Sequence, residues 1–586
     1  MHKIVLWILL LLCSWQAFGQ DLPRGFAEGE KELMPQYIRT ATSYNPFMRG
    51  VDVPGPIRSM AEWEELQGLI ISWTENFRDI QAEIVRSTIP QCRIIIACSN
   101  PDNVSKFLAS KGISDSLNVQ YVVGRYNSIW VRDYGPNSVY YNDVDSLYLT
   151  DWIYNRPRYQ DDTLARQLSR ALNLPLMETN KKPDDLVHTG GNYMSDGQGT
   201  AFSSLLVMDE NGIGNTFGFS IHTEPEVDSL MAKYMGTKVY AKMETLPYDA
   251  IHHIDMHMKI LDEQTILVGK YANDVADGAQ INANIAYLLD HYKNYFGKPF
   301  TIKYIPMPPG PNGRYPDQNG DYRTYTNSVF VNKTVIVPFY EEKYDTIARR
   351  IYEEALPGYQ IVGINCNKII PSLGAIHCIT KEVGVTDPLL ISVDIAQPII
   401  NPDNERERTI HAIVKNKCGI DEVWLHFTLD GSHDTTDSLK MELTDSEKSI
   451  YRAIIPTFKK EARYYITAKS ISGKTISRPM TAPEGYFKTV AIPTASTRTN
   501  TPQRMHIFPN PARSLTCVDV DYPMAAKVDI RLTNGLGNVV STLYSGEWNP
   551  NSPRVFFDAS ALIPGLYFVR MEGKNIFSMQ QVVIIR

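Results

Sequence analysis

The sequence predicts an α/β domain followed by two all-β domains, and three observations support this. The chain has 586 residues, which is too many for a single hydrophobic core, so several domains are expected. From about residue 56 to residue 388, short apolar strands such as "RIIIAC" (93–98) alternate with amphipathic helical stretches such as "NFRDIQAEIVRSTI" (76–89). Beyond residue 389 the helical spacing stops and period-two alternation replaces it.

The N-terminus has the features of an export signal. A basic start precedes the short apolar run "IVLWILLLLC" (4–13), and "AFG" (17–19) provides a small-residue cleavage site. We therefore predict a signal peptide over 1–19 and a polar, turn-rich leader over 20–55. No later stretch approaches twenty apolar residues, so no transmembrane segment is expected in the mature chain.

Charge and cysteine content limit the classes of function. With 58 Lys+Arg against 65 Asp+Glu, the formal charge is −7, which argues against nucleic acid and is compatible with a cationic substrate. Six cysteines follow the signal peptide, but their spacing indicates neither a dense disulfide framework nor a zinc ribbon.

Two β-rich regions complete the chain. Residues 389–488 contain alternating strands such as "TIHAIVKN" (409–416) and "ARYYITAKSI" (462–471), which predict an immunoglobulin-like sandwich. Residues 489–505 form a Thr/Pro/Ser-rich linker, and residues 506–586 are again all-β.

The densest polar cluster is "AIHHIDMHMKIL", 250–261, which we predict to be a strand. Period two would place His253, Asp255 and His257 on one face. Structural hydrogen bonding and metal binding are both possible for such residues, but no matching ligand cluster is visible elsewhere. A His–Asp pair suits acid–base chemistry, because histidine titrates near neutral pH.

Three further stretches contain residues that could carry chemistry. "SLGAIHCITKEVG" (372–384) holds Cys378, which alone reads as a core thiol, while the adjacent His377 is expected to point to the opposite strand face. "HTGGNYMSDGQGTAF" (188–202) has glycines where the backbone approaches another group closely. In "SIWVRDYGPNS" (128–138), Asp133 either pairs with Arg132 or binds an external cation.

Five short motifs follow one another along the chain, and as a set they resemble the motifs of one superfamily. They are "WVRDYGP", "TGGNY", "HHID", "YTNS" and "GAIHC". They resemble those of the guanidino-group-modifying enzymes, specifically Porphyromonas-type peptidylarginine deiminases and the related agmatine deiminases. The resemblance covers roughly residues 54–388. It implies a five-bladed pseudosymmetric α/β propeller, the pentein fold, for the catalytic domain (56–388).

The resemblance also implies roles for individual residues. Asp133 and Asp255 would clamp the substrate guanidinium, a planar cation suited to bidentate carboxylates. Cys378 would attack the central carbon as a thiolate, and His253 would protonate ammonia and then activate water. Asn327 would position the substrate. No cofactor and no metal are required by this chemistry.

Further substrate-binding residues follow from the same resemblance. Trp130 would pack on the substrate stem or cation. In the peptidylarginine branch, an Asn-Arg-Pro-Arg segment holds a substrate carboxylate, and here it corresponds to Arg156 and Arg158 in "DWIYNRPRYQDD" (151–162). Surface pairing of these arginines with the two aspartates that end that stretch is the structural alternative.

The last domain resembles the C-terminal sorting domain of type IX secretion. The resemblance rests on "FPNPA" (508–512), "IRLTNGLGNVV" (530–540) and "IPGLYFVR" (563–570). It implies the type IX machinery as a partner and a secreted or surface-attached protein.

The sequence therefore predicts a secreted arginine deiminase. It would convert peptidyl arginine, with a C-terminal arginine favoured, to citrulline and ammonia through a covalent thiouronium on Cys378. One alternative is an exported agmatine or free-arginine deiminase. Another is a non-enzymatic cell-surface binding protein with a relic deiminase domain.

Overall fold

The computed structural model describes most of the chain beyond the predicted signal peptide, which lies outside the described residues. The described residues are 22–42, 50–114, 118–215, 217, 220–272, 274–397, 399–400, 407–430, 436–492, 504–522, 525–534, 537–550, 554–574 and 576–585. Among them, no helix has both the length and the apolar character needed to cross a membrane.

Residues 57–384 contain five β-sheets that repeat one arrangement. In each sheet, a central strand has an antiparallel neighbour on one side and a parallel neighbour on the other. The first sheet has the order Lys381–Gly384, Leu66–Ser72, Arg93–Cys98, Val119–Val123. The second has the order Ile57–Ser59, Asn137–Tyr141, Ser146–Tyr154, Leu176–Thr179, with Val187–His188 beside Ser146–Tyr154.

The other three sheets each have three strands. The third consists of Met194–Ser195, Thr200–Ser204 and Val239–Met243. The fourth consists of Met258–Ile260, Thr265–Lys270 and Thr301–Pro306. The fifth consists of Val329–Val331, Thr334–Phe339 and Gln360–Asn365.

A helix connects the central strand of each sheet to its parallel neighbour, because parallel strands need a crossover. These five helices are Arg78–Thr88, Leu164–Leu172, Glu224–Met235, Gly278–His291 and Glu342–Ala355. The remaining α-helices are Met34–Ala41, Pro101–Ser110, Val131–Tyr134, Tyr159–Asp162 and Leu206–Asn211. Short 3-10 turns occur at Lys31–Leu33, Gly190–Asn192, Ile254–Met256, Pro316–Gln318, Ile370–Ser372 and His377–Ile379.

Local sequence explains how one of these helices begins and ends. At the N-terminus of Glu224–Met235, Thr223 and Glu226 form a reciprocal capping box, which satisfies backbone N–H groups at that end. Gly236 ends the helix in the left-handed conformation, with φ 68°. An added Cβ there would lie 2.0 Å from the carbonyl oxygen of Ile57, so only glycine fits.

The region after residue 389 is all-β, as predicted. One sheet has the order Leu390–Asp394, Arg408–Lys415, Ile450–Ile455, Glu442–Asp445. The other has the order Ile399–Ile400, Phe487–Ile492, Glu461–Ser470, Ile420–Leu429, Asp437–Lys440, with Thr475–Arg478 beside Glu461–Ser470. Alternate residues of both sheets share one buried core. The first residues of the predicted linker are the end of strand Phe487–Ile492, and residues 493–503 lie outside the described part.

The C-terminal region forms two further antiparallel sheets around a core of its own. The first contains Arg504–Phe508, Leu515–Asp521 and Arg554–Asp558. The second has the order Val539–Trp548, Ala526–Asn534, Gly565–Gly573, Ile576–Ile584. Residues 565–570 of the "IPGLYFVR" stretch therefore lie on an inner strand of the second sheet.

The structure corrects the predicted strand at 250–261. His252 has a left-handed backbone with φ 57°, and Ile254–Met256 form a 3-10 turn, so the strand begins only at Met258. Period-two alternation therefore does not determine which way His253 and Asp255 point. The predicted turn-rich leader also differs, because it contains the helix Met34–Ala41.

Candidate active site

The predicted motifs occupy equivalent positions in the five sheets. Each lies immediately before the strand that pairs antiparallel with the central strand of its sheet, and the key residues are buried. In chain order these are Asp133 before Asn137–Tyr141, Gly191 before Met194–Ser195, Asp255 before Met258–Ile260, Asn327 before Val329–Val331 and Cys378 before Lys381–Gly384. One loop from each sheet thus contributes to a common site.

Asp133 and Asp255 hold a guanidinium between them, and that guanidinium belongs to Arg24 of the leader. Arg24 donates from Nε to Oδ2 of Asp133 at 2.9 Å and from Nη2 to Oδ1 at 3.0 Å. It also donates from Nη2 to Oδ2 of Asp255 at 3.0 Å and from Nη1 to Oδ1 at 3.3 Å. Both carboxylates therefore bind the same planar cation in a bidentate manner.

The pKa values of the two carboxyl groups are consistent with this arrangement. Burial alone would raise the pKa of Asp133, but Arg24 and His253 outweigh it and lower that pKa to about 2. At Asp255, Arg24 and His377 likewise outweigh the effect of burial, and they hold the pKa of this carboxyl well below its usual range. The pair is therefore doubly anionic around the bound guanidinium.

Cys378 lies against the same guanidinium. Its Sγ contacts Nη1 of Arg24 and lies 3.3 Å from Oδ1 of Asn327 and 3.4 Å from the backbone nitrogen of Ala375. Burial raises the pKa of the thiol well above its ordinary value, whereas the Arg24 cation opposes that shift. A bound guanidinium therefore stabilises the thiolate relative to a site without one, although burial still keeps the pKa of Cys378 raised.

His253 completes the ring of groups around the guanidinium. Its Nδ1 lies 3.5 Å from Oδ1 of Asp133, and neither ring nitrogen hydrogen-bonds to a described residue. Burial and the Arg24 cation lower the pKa of His253 to about 3, so the ring is neutral in this state. A neutral, buried imidazole at this position can accept a proton, and it can deliver one only after it has taken one up.

Asn327 organises the cysteine turn. Its Oδ1 accepts from the backbone nitrogens of His377 and Cys378, at 3.0 Å and 3.4 Å. Its Nδ2 donates to the backbone carbonyl of Asp255 at 3.4 Å. One side chain thus links the loop that carries the thiol to the loop that carries the second carboxylate.

Two glycines allow the backbone to come close to the guanidinium site. A Cβ on Gly191 would lie 1.9 Å from Nη2 of Arg24 and 2.6 Å from Nδ1 of His253. A Cβ on Gly374 would lie 2.5 Å from Cζ3 of Trp130 and 3.0 Å from Sγ of Cys378. The close approach predicted for the "TGGNY" stretch is therefore confirmed, because any side chain at Gly191 would collide with the bound group.

Trp130, Arg156 and Arg158 line the path by which the backbone of the leader reaches the site. The Nε1 of Trp130 donates to the carbonyl of Leu22 at 2.7 Å. The two arginines are buried rather than on the surface, so the surface pairing described as an alternative is wrong. They contact the backbone of the leader on both sides of its arginine.

His377 is a site residue that sequence reasoning misplaced. It was expected to point away from Cys378 on a strand, but both residues lie in the 3-10 turn His377–Ile379 and are buried. His377 Nδ1 lies 2.9 Å from Oδ2 of Asp255, and its Nε2 lies 3.0 Å from Oε1 of Glu62. Glu62 also forms an ion pair with Lys259. This chain of polar contacts fixes the orientation of Asp255.

Arg132 pairs with Glu382 instead of with Asp133. The two side chains form a bidentate ion pair with distances of 2.8 Å and 2.6 Å. Asp133 and Arg132 diverge because they lie in the short helix Val131–Tyr134. In the described part of the chain, Glu382, Glu62 and His377 are close enough to hold a metal ion, but each of the three is already paired with a protein group.

Glu210, near Arg156, gives the first prediction, on the pH dependence of stability. Burial raises the pKa of Glu210 from 4.5 to about 8, although Arg156 and a hydrogen bond from Asn155 oppose the shift. A folded-state pKa above the unfolded value means that the contribution of Glu210 to stability is present below about pH 4.5 and lost as pH rises through about 8. Glu210→Gln removes this loss, because glutamine stays neutral and still accepts from Asn155.

Urea unfolding near pH 5 and near pH 8.5 tests this expectation. The stability of Glu210→Gln relative to the wild type should rise between the two pH values by about 4 kcal/mol. Glu83→Gln, at a half-exposed surface position, serves as the matched control. An identical pH dependence in Glu210→Gln and the wild type would show that Glu210 does not titrate in this way.

The chain is similar in sequence and in fold to known deiminases. A relative from Lactococcus lactis subsp. lactis, provisionally named an agmatine deiminase, is 25% identical over 288 residues, which cover 44% of this chain and 74% of the relative. The solved agmatine deiminase of C. jejuni is 22% identical, with a TM-score of 0.47, and the match covers 57% of this chain and 98% of that one. The agmatine deiminase of Enterococcus faecalis is 18% identical, with a TM-score of 0.48 and coverage of 56% and 98%.

Two family models match the chain. Residues 506–586 match the secretion system C-terminal sorting domain, so the chain is directed by type IX secretion to the cell exterior or the cell surface, as predicted. Residues 58–383, which hold the five sheets and the site, match the model of the Porphyromonas-type peptidyl-arginine deiminases. That match spans more than half of the 586 residues. The chain is a member of the Porphyromonas-type peptidyl-arginine deiminase family.

Proposed function

We propose that this chain is an exported deiminase that converts peptidyl arginine to citrulline and ammonia. The observation that carries the proposal is the convergence of two buried carboxylates and a thiol on one guanidinium. Such a pair of acids holds the planar cation still, so attack at its central carbon becomes effectively unimolecular.

The first half of the reaction uses Cys378 as the nucleophile. The thiol proton of Cys378 passes to the neutral ring of His253, and the Sγ adds to the central carbon to form a covalent tetrahedral adduct, with the guanidinium stabilising the thiolate. One C–N bond then breaks, and the nitrogen leaves as ammonia with a proton delivered by His253. The remaining species is a thiouronium bonded to Cys378.

The second half hydrolyses this intermediate. His253 takes a proton from water, the resulting hydroxide adds to the same carbon, and the C–S bond breaks. His253 returns this proton to the departing thiolate, so the products are a ureido group and the regenerated cysteine, and the sum is arginine plus water giving citrulline plus ammonia. The free ring nitrogens of His253 beside Asp133 support this acid–base role.

Asn327 and Trp130 act by positioning. Asn327 links the loops of Cys378 and Asp255, and so fixes the distance between the nucleophile and the clamp. Trp130 packs close to Gly374 near the thiol, and its indole N–H holds a peptide carbonyl. In this proposal, neither residue takes part in bond making.

The substrate proposal rests on Arg156 and Arg158. Burial and the neighbouring Arg158 lower the pKa of Arg156, and Arg156 has no carboxylate hydrogen-bonded to it among the described residues. A pair of buried guanidinium groups attracts carbonyl or carboxylate oxygens of a peptide and repels the amine of agmatine. Type IX export also favours an external peptide or protein over an intracellular amine.

We also propose assignments for the architecture. The repeated strand order of the five sheets supports a pseudosymmetric five-bladed propeller around the site. The two sheets that share one core support an immunoglobulin-like sandwich for the region after residue 389.

A four-substrate assay tests the proposed function. Citrulline formation would be measured with an arginine-ending peptide, a peptide arginine amide, free arginine and agmatine. Turnover of either peptide above agmatine is expected, and turnover of agmatine alone would instead favour an agmatine deiminase. Absence of turnover on every guanidine would favour the binding-protein alternative.

Arg158→Ala provides a prediction about substrate choice. Arg158 donates to backbone carbonyls, and agmatine has none. Arg158 also holds the leader, so the assay uses chains that carry Arg24→Ala. In that background, lost hydrogen bonds from a charged group should lower kcat/KM for arginine peptides about 10- to 100-fold, with agmatine turnover unaffected. Arg170→Ala, at an exposed position in the same region, is the control. An equal loss on peptide and agmatine would refute a peptide-specific role for Arg158.

A further inference from the structure

The leader enters the active site as a continuous peptide. The carbonyl groups of four consecutive leader residues accept hydrogen bonds from the lining residues of the site. The pairs are Leu22 with Trp130 (2.7 Å), Pro23 with Arg158 (2.8 Å), Arg24 with Arg156 (3.2 Å) and Gly25 with Arg158 (2.9 Å). The backbone N–H of Arg24 donates to the carbonyl of Ser372 at 3.2 Å.

Two leader side chains add to this attachment. Glu30 accepts from Nε and Nη2 of Arg158 at 2.7 Å and 2.9 Å, and it is buried. The ring of Phe26 lies under the guanidinium of Arg156, with 4.2 Å between the carbon and the ring centroid. The leader is therefore held on the C-terminal side of Arg24 as well as at its guanidinium.

These contacts show which backbone groups the site binds on either side of an arginine. Arg158 donates to the carbonyl before Arg24 and also to the carbonyl after it. The chain continues on both sides, so the groups that face an arginine here are neutral peptide carbonyls and not a terminal carboxylate. The bound segment has the form of an arginine inside a chain.

We propose that residues 22–30 are an intramolecular ligand of the active site, bound as a peptide with an internal arginine binds, and that this leader leaves before an external arginine enters. The inference rests on the proposed function only in treating the occupied site as the substrate site. Arg24 is 0% exposed and contacts both carboxylates and the thiol, so no second guanidinium fits beside it.

Covalent attachment makes this ligand a strong competitor. A short tether gives an effective concentration in the millimolar range, well above that of most external peptides. The apparent affinity of an external peptide is then its intrinsic affinity multiplied by the fraction of molecules whose leader has left the site. Substitutions that weaken the leader should therefore strengthen the binding of external peptide.

The test uses a chain in which Cys378→Ser removes turnover, with retention of the leader verified by intact mass. The dissociation constant of a labelled peptide copying residues 21–30 ("DLPRGFAEGE") would be measured by fluorescence anisotropy. Adding Arg24→Ala to Cys378→Ser should tighten binding about tenfold or more. Adding Glu32→Ala, at an exposed leader acid, should leave it unchanged. Equal affinity with and without Arg24→Ala would overturn the inference.

A second measurement guards against a folding defect in the Arg24→Ala chain. In chains that keep Cys378, its alkylation rate would be followed by peptide mass, with the exposed Cys418 as internal reference. Arg24→Ala should speed alkylation of Cys378 relative to Cys418, and Glu32→Ala should not. An unchanged ratio in a chain with native thermal unfolding would count against the inference.

Peptide length tests the internal-arginine mode. The ten-residue peptide should bind the Cys378→Ser/Arg24→Ala chain more tightly than a peptide ending at the arginine ("DLPR"), because only the longer one supplies the Gly25 carbonyl and Glu30. Tighter binding of the shorter peptide would overturn this mode. Replacing the arginine by alanine should abolish binding of either peptide.

The two proposals fail separately. An Arg24-dependent affinity shift without ammonia release from any guanidine would keep the leader inference and overturn the proposed function. Ammonia release from external peptides without that shift would do the reverse.

Discussion

Cys378→Ala is expected to abolish ammonia release from every guanidine substrate while leaving the fold intact. The Sγ of Cys378 contacts the bound guanidinium, and no other cysteine makes a described contact with it. Removal of a nucleophile that forms the covalent intermediate should lower kcat by about 10⁴-fold or more. The measurement is a coupled ammonia assay with an arginine peptide.

Cys418→Ala is the matched control for this variant. Cys418 is exposed and lies in the β-rich region after residue 389, so its loss should leave kcat unchanged. Thermal unfolding of both variants would establish that the chains are folded. Substantial ammonia release by folded Cys378→Ala would refute the proposed nucleophile.

Asp133→Asn should have the second largest effect. Asp133 accepts two hydrogen bonds from the guanidinium and carries a full negative charge, because its pKa is lowered to about 2. Asparagine keeps the shape but loses the charge and one acceptor. Breaking a buried ion pair from one side costs about 3–5 kcal/mol, which corresponds to a loss in kcat/KM of about 10²- to 10⁴-fold.

The assay should be run in a chain that also carries Arg24→Ala. Asp133 holds the leader, and in the proposed reaction it also holds the substrate, so Asp133→Asn alone would weaken both and mask part of the effect. Asp290→Asn, 82% exposed on the helix Gly278–His291, is the matched control. A fall of less than threefold for Asp133→Asn, about 0.6 kcal/mol or less, would show that the clamp does not depend on this charge.

Much of the site could be predicted because its residues sit in short, chemically distinctive motifs. Asp133, His253, Asp255, Asn327 and Cys378 were all identified from sequence, and the structure brings them together around one guanidinium. Their roles remain predictions. The alternation of strands and helices likewise predicted the α/β region, since crossover helices such as Arg78–Thr88 and Glu342–Ala355 bury apolar residues at helical spacing.

The missed features have a common physical origin. Arg24 and Glu30 lie in a polar segment with no periodicity, and only a long-range contact gives them significance. His377 was misplaced because the turn His377–Ile379 was taken for strand, where neighbouring side chains diverge. The same error affected residues 252–257, where the left-handed backbone of His252 cannot be deduced from composition.

The position of Cys378 has a consequence for the order of events when the protein forms. Lys381–Gly384, three residues beyond the cysteine, pairs with Leu66–Ser72 from the opposite end of the domain. That pairing joins the last strand of the domain to its first sheet, and contacts so distant in sequence form slowly. In a chain that emerges N-terminus first, Asp133 and Asp255 therefore emerge before Cys378. A partly emerged chain has the two carboxylates without the thiol, and the proposed reaction needs both.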